Sequence, residues 1–421
     1  MVTRRQVLGT GLAAAVSALA LPAYARKRPI KIGYISPQSG ALSAFSEADK
    51  YMIEQFLKTA PSKGLNVEVL VKDSQSNPNR AADVARELIV RDKVDLILVA
   101  STPDTTNPVC TIAEAEEVPV ISSVAPWQPW FIGQQGNPND PSSWTSFDYV
   151  YHFFWGLEDN VSVFLNMWKG VESNKSLGAL WPNDGDGNAW ASDVGLPPAA
   201  RKAGYKLTDP GRYKNLTDDF SAQIAAFKQN EVEIFTGIPI PPDFTTFWTQ
   251  ASQQGFKPKL ASVAKALLFP ESVAALGPLG HNLTCEVYWS PKFPFHSSLT
   301  GESCEALAER FSKAAGRQWT QPVGFTHALF ELAADVLKRA DDPTNHEAVA
   351  KAIATTSLDT VVGNIKWGQD NVPPFARKNV AKTPLVGGQW RRKADGSFDL
   401  LIVENGNAPN IPLGGTLETL R

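Results

Sequence analysis

Short apolar runs and amphipathic stretches alternate from Ile30 onward, and that alternation restricts what the chain can fold into. "IKIGYIS" (30–36) reads as a strand. Residues 45–59 place Phe45, Ala48, Met52, Phe56 and Leu57 near one helical face. "VEVLVKDS" (67–74) is a second strand, and Asn79 is placed to cap a helix carrying Ala81, Val84, Ala85, Leu88 and Ile89. "DLILVAS" (95–101), a helix near 106–116 and "VPVISS" (118–123) continue the series. A β-α-β-α-β-α-β order implies a parallel sheet with helices on both faces.

The order breaks at residues 124–150, which are rich in Pro, Gly, Asn and Trp and show no period. A long loop inside a compact domain is usually functional or poorly ordered. The alternation then restarts. "LGALWP" (177–182), "YKLTD", "VEIFTGI" (232–238) and "KLASV" (259–263) are strands, with helices at 188–203, 218–229 and 242–254 between them. After "CEVYWSP" (285–291) the pattern is helical over 303–315, 322–340 and 346–355. Residues 384–403 read as a hairpin turned at Ala394-Asp395-Gly396-Ser397. Two α/β units of similar plan, a helical return and a terminal hairpin imply a chain that crosses between lobes several times. Such a chain hinges, and ligands bind at the carboxyl ends of its strands.

The first 25 residues, "MVTRRQVLGTGLAAAVSALALPAYA", form a separate object. Arg4 and Arg5 precede an apolar stretch from Val7 to Leu21, and Ala23-Tyr24-Ala25 supplies small residues for cleavage after Ala25. "TRRQVL" resembles a twin-arginine export signal, which places the mature chain in the periplasm. The segment also contains Gly9-Thr10-Gly11-Leu12-Ala13-Ala14, a match to a dinucleotide fingerprint. It follows no strand and falls within the cleaved segment, so it carries no cofactor. No Cys lies near the cleavage point to take a lipid anchor. Removing both arginines takes the net charge from −3 to −5, which argues against nucleic acid as a partner. Three cysteines enter an oxidising compartment. Cys285 and Cys304 flank a loop rich in Pro, Phe and Ser and are the expected disulfide, leaving Cys110 as a buried thiol.

"WPNDGDGNAW" (181–190) concentrates carboxylates, glycines and tryptophans. As a calcium loop it would need oxygen ligands at positions 1, 3 and 5, Gly at 6 and Glu at 12. Asp184, Asp186 and Asn188 fit the first three, but position 6 is Ala189 and position 12 is Gly195. No G-x-S-x-G, H-E-x-x-H or G-K-[ST] motif occurs, and Gly301-Glu302-Ser303-Cys304-Glu305 lacks the final Gly. The five histidines have no metal spacing. No metal, cofactor or chemistry is therefore expected. A strand-to-helix turn accounts for the stretch structurally, with Asp186 or Asn188 as its cap. The same turn would open a helix start into a cleft. Trp127, Trp130, Trp144, Trp155, Trp181 and Trp190 cluster around the two cleft-forming segments. Core packing is the ordinary role of such residues. A Trp-lined cleft would favour a flat apolar ligand or a quaternary ammonium. Phe45 is either core filler or part of that wall.

"IKIGYISPQSGALSAF", "VEVLVKDSQSNPNRAADVARELIVRDKVDLILVASTPDT" and "AEAEEVPVISSVAP" resemble the leucine/isoleucine/valine-type solute receptors, the type I periplasmic binding proteins of ABC importers. The run Asp73-Ser74-Gln75-Ser76-Asn77-Pro78 before an Ala-rich helix is the most recognisable element, and the likeness loosens beyond about residue 270. The resemblance implies an α/β fold of two Rossmann-like lobes joined by a multi-strand hinge, with the ligand in the interlobe cleft. It divides the chain into residues 26–150 with 286–376, and 151–285 with 377–421. It places ligand contacts at Ser101 and Thr102, at Ser123, Ala125, Pro126 and Trp127, and in the second lobe at Trp181, Asp184, Asp186, Pro239 and Lys265. Amino-acid receptors often carry an acid near Lys265; the departure leaves an α-ammonium without its usual partner. The family takes aliphatic amino acids, amides, urea and aromatic carboxylates. The tryptophans point to an aromatic or apolar carboxylate, Asp184 and Asp186 to a cationic or hydroxyl group, and an aromatic or branched amino acid to both. The implied partner is an ABC importer permease, served by a monomer. A ligand sensor feeding a signalling partner and an amide or ester hydrolase are the alternatives.

Overall fold

The computed structural model describes residues 28–420; the export segment 1–25 and the mature start at Arg26 lie outside the described residues. Two sheets organise the chain. The first is wholly parallel, in the order Val380–Ala381, Val150–Phe153, Val120–Ser123, Leu96–Ala100, Ile30–Ser36, Val67–Asp73. The second runs Phe398–Glu404, Val386–Arg392, Thr284–Val287, Leu260–Val263, Ile234–Gly237, Ser176–Pro182, Lys206–Thr208. Its last five strands are parallel, and the terminal hairpin joins them antiparallel. The two-lobe α/β architecture is thus present. Sheet membership changes after Phe153 and after Ala381, whereas the expected divisions stand at 150 and 376.

Alternation within each strand builds the cores. Ile30, Ile32 and Tyr34 pack on one face of the first sheet and Ile35 on the other; Leu96 and Leu98 oppose Ile97 and Val99 in the same way. Burying a side chain of this size contributes about 1.5–3 kcal/mol, so a parallel strand covered on both faces is held from both sides. Gly33 is required by close approach: a Cβ there would stand 2.7 Å from Leu88 Cδ1. The long helix Pro322–Arg339 returns from the second lobe to cover the first sheet, where Phe330 stacks on Phe56 with centroids 4.6 Å apart.

Several local expectations need correction. The helix Pro78–Arg86 is capped by Asn77, whose side chain accepts from Arg80 N at 3.1 Å, and not by Asn79. Pro78 lacks an N–H and occupies the first helical position, so the cap precedes it. Residues 124–150 contain the helix Trp127–Ile132, whose Trp127, Gln128, Pro129, Trp130 and Phe131 are all buried. A helix covered on every side shows no amphipathic period. The helix expected at 188–203 is two, Gly185–Trp190 and Leu196–Lys202.

Cys285 and Cys304 are free thiols, which corrects the expected disulfide. Cys285 sits inside the second sheet, paired with Gly388. Cys304 opens the helix Cys304–Ala315 and donates from Sγ to Val361 O at 3.2 Å. The intervening chain carries one away from the other. Among the described residues no helix is long and apolar enough to cross a membrane.

Candidate ligand-binding site

Strand ends from both sheets meet at one narrow cavity. From the first lobe come Thr102, Val124, Pro126, Phe154 and Trp155, with Phe45 from the turn Ser43–Ser46. The second lobe supplies Asp186, Ile238, Lys265, Leu268, Glu286 and Tyr288. Nearly all follow the carboxyl end of a parallel strand, where open α/β sheets place ligands. The cavity is about 20 Å³, room for one water, so the lobes are drawn up against each other.

Lys265 anchors the polar side. Its Nζ lies 2.7 Å from Asp186 Oδ2 and 3.2 Å from Asp184 Oδ2, and its backbone N–H donates to Glu286 Oε1 at 3.0 Å. The residue is held at φ 63°, ψ −56°, and Ala266 N donates to Ala264 O at 2.6 Å across it. That is a γ-turn of the strained kind, in a region that costs a non-glycine residue about 1–3 kcal/mol. Three carboxylates gripping one lysine over-determine it. Val124, facing it from the first lobe, also has positive φ, 71°, unusual for a β-branched residue.

Asp184 caps the helix Gly185–Trp190 by accepting from Gly187 N at 2.8 Å, and it accepts from Asn215 Nδ2 at 3.0 Å. The first lobe reaches the same turn: Asp104 Oδ1 accepts from Gly185 N at 3.0 Å. Electrostatics separates these acids. Burial disfavours the charge of Asp184, but Lys265 together with the bonds from Gly187 N and Asn215 outweighs it and holds the carboxyl below its usual range. Asp186 is pushed up to about 6 and Glu286 to about 8, both chiefly by burial. Asp104 is raised by burial and by Asp184. For Lys265 burial opposes the charge, and Asp184 and Asp186 overcome it, so it stays an ammonium.

Of the residues expected at the site, Phe45, Thr102, Pro126, Asp186 and Lys265 line the cavity, and Asp184 stands behind them on Lys265. The rest are placed elsewhere. Ser101 Oγ accepts from Thr105 Oγ1 at 2.7 Å inside its own helix start, and Ser123 Oγ donates to Phe153 O at 2.6 Å. Ala125 O faces His152 Nε2 at 2.7 Å. Trp127 Nε1 donates to Glu158 Oε1 at 3.2 Å, and its ring belongs to the outer core with Trp130. Trp181 is fully buried beside Trp190, ring centroids 6.0 Å apart. Pro239 is buried next to the lining Ile238. A cleft walled by tryptophans is therefore corrected to one with a single tryptophan, Trp155, among Phe45, Phe154 and Tyr288. Trp155 is the one of the six clustered tryptophans that lines the cavity, whereas Phe154, Glu286 and Tyr288 were not anticipated. Glu286 had a signal: a carboxylate inside "CEVYW", a strand otherwise fit for a buried sheet.

Known proteins of similar structure share this plan. A leucine binding protein from Thermotoga maritima superposes with a TM-score of 0.72 at 18% identity, over 90% of this chain and 99% of that one. A branched-chain amino acid transporter substrate binding protein from Streptococcus pneumoniae, in complex with isoleucine, gives 0.70 at 17% identity, over 90% and 100%. A solute binding protein of an ABC transporter from R. palustris, in complex with benzoate, gives 0.70 at 14% identity, over 89% and 96%. No curated protein matches by sequence. The periplasmic binding protein family model matches residues 29–383, and the chain belongs to that family.

Proposed function

We propose that this chain captures a small solute between its lobes and delivers it to an ABC importer from the periplasm. The observation that carries this reading is the convergence of strand ends from two separate sheets on one cavity, closed by the bond from Gly185 N to Asp104. The lobes turn about the connections near 153–157, 287–290 and 381–386, where the chain passes from one sheet to the other. Solutes enter the open form and closure seals them. Nothing in the lining pairs a nucleophile with a base, so the bound molecule leaves unchanged.

The test is a thermal-shift screen of stripped protein, followed by small-angle scattering with each hit. The panel holds aliphatic and aromatic amino acids, aromatic carboxylates, short amides, urea and amines. A ligand at 100 times its dissociation constant adds about 2.7 kcal/mol, a shift of a few degrees or more. A shift accompanied by compaction supports the reading. Binding without compaction, or recovery of a chemically altered ligand, overturns it.

A further inference from the structure

Resting on the solute-binding reading above, we propose that the cavity takes a small organic cation: an amine on an apolar or aromatic body, with no carboxylate required.

The first ground is unused hydrogen-bonding capacity. Asp186 Oδ1, Glu286 Oε2 and the Tyr288 hydroxyl have no partner in the protein, and their residues are 3%, 2% and 1% exposed. All three residues line the cavity. Orphaned buried oxygens carry a cost unless a ligand satisfies them. Once ionised, a carboxylate can only accept, so an N–H donor that displaces the proton is the matching group for the first two.

Charge balance is the second ground. Asp104, Asp184, Asp186 and Glu286 surround the site, and Lys265 is the single cation in its lining. Its ammonium is already held by Asp184 and Asp186. Asp243 adds another acid behind Asp184, beside Tyr213. Three helix starts at the cleft are also neutralised. Pro103 begins one without an N–H, with Asp104 in its first turn; Pro241 begins another, with Asp243 in its first turn. Asp184 and Asp186 occupy the third. A ligand carboxylate would therefore meet acids where helix ends normally offer N–H groups.

The walls agree with a cation. Phe154 lies 4.7 Å from Trp155 and 5.1 Å from Tyr288, centroid to centroid, and Phe45 lines the same cavity. Aromatic faces attract an ammonium, more so when it is desolvated. The narrow cavity calls for a short body and for slightly parted lobes on binding.

Isothermal titration with benzylamine, isoamylamine, phenylalanine, leucine, benzoate and isovalerate tests the assignment, at pH 6, 7 and 8 and in buffers of different ionisation enthalpy. The amines should bind at least about tenfold tighter than the matching amino acids and carboxylates. Affinity for an amine should rise with pH, with proton release, because a bound cation favours ionised Asp186 and Glu286. Glu286→Gln keeps an acceptor for Lys265 N and should weaken amine binding about tenfold or more. Tighter carboxylate or amino-acid binding, or affinity that falls with pH, overturns the cation while leaving the solute receptor intact if the lobes close. Amine binding without closure keeps the cation and removes the hinged receptor. No binding by any amine overturns the cation, whatever else binds.

Discussion

Asp104 of the first lobe accepts a hydrogen bond from the backbone of Gly185 in the second at 3.0 Å, so an acid from one lobe sits on a helix start of the other. A Cβ on residue 185 would stand 2.9 Å from Asp104 Oδ1. It is a direct bond between lobes that the open form must lose.

Weakening that bond should act on the closed state alone. A hydrogen bond to a charged group is worth about 1.5–3 kcal/mol, less here because Asp184 repels Asp104. Asp104→Ala should raise the ligand off-rate about tenfold with little change in melting temperature. Gly185→Ala should act the same way through crowding. Stopped-flow dissociation checks both. An unchanged off-rate would mean the liganded form does not use this bond.

Lys265→Met should be severely destabilising. It leaves Asp184 and Asp186 buried without their cation, and breaking a buried pair costs about 3–5 kcal/mol. Without Lys265 both acids titrate higher than in the unfolded chain. Their protonated forms then favour the native state at low pH, and the benefit is lost as pH rises. Urea unfolding should therefore show a larger deficit at pH 7 than at pH 5. An equal deficit at both would place the loss in packing of the lysine stem or in the released turn.

Two tryptophans should separate stability from binding. Trp181 is fully buried behind the wall against Trp190, so Trp181→Ala should cost about 3–5 kcal/mol. Trp155 lines the cavity, so Trp155→Phe, which keeps most of the core volume, should weaken binding with a small change in stability. Denaturant midpoints beside titration data distinguish the two. If Trp181→Ala binds poorly while keeping its midpoint, the turn 181–190 contacts the ligand more closely than its burial implies.

Strand and helix order was legible because the central strands are covered on both faces and the outer helices on one, which leaves period and apolar runs in the sequence. Thr102, Asp186 and Lys265 were legible through their place after a strand. Ser101 and Ser123 follow the same rule, yet their hydroxyls turn inward to Thr105 and Phe153 O. Direction at a strand end depends on side-chain bonds that spacing does not encode. Trp127 and Trp130 looked like loop residues because a short helix buried on all sides has no period. An acid does stand against Lys265, but from the neighbouring strand: Glu286 accepts from its backbone N–H, a through-space relation across the sheet.

All three cysteines should remain thiols. Each is buried, and burial pushes the thiols of Cys110 and Cys304 up to about 12 and that of Cys285 well above its ordinary value. Thiolate is the reactive form, so native protein should resist a thiol reagent. Unfolding in guanidinium without reductant should release three reactive thiols per chain. A count of one would restore the disulfide.

Ligand-free protein should lose stability as pH rises from about 5 to 8. Asp186 at about 6 and Glu286 at about 8 lie above the usual carboxylate range because burial disfavours their charge. Unfolded values are about 3.9 and 4.3, so the native state holds these protons more tightly. Their contribution is full below about pH 4 and is lost as pH climbs through 6 and then 8. Asp49 and Glu331, each pushed to about 7 by burial, act in the same direction. His152 at about 3 and His327 at about 4 are lowered by burial and act only on the acid side, below about 6.5. Glu286→Gln cannot ionise, so it should flatten the fall between about pH 5 and 8, while Asp49 and Glu331 keep theirs up to about 7. Calorimetric midpoints across that range are the measurement. Parallel curves for wild type and variant would mean that Glu286 ionises at no cost, and that the cavity already holds the charge that a ligand cation is proposed to balance.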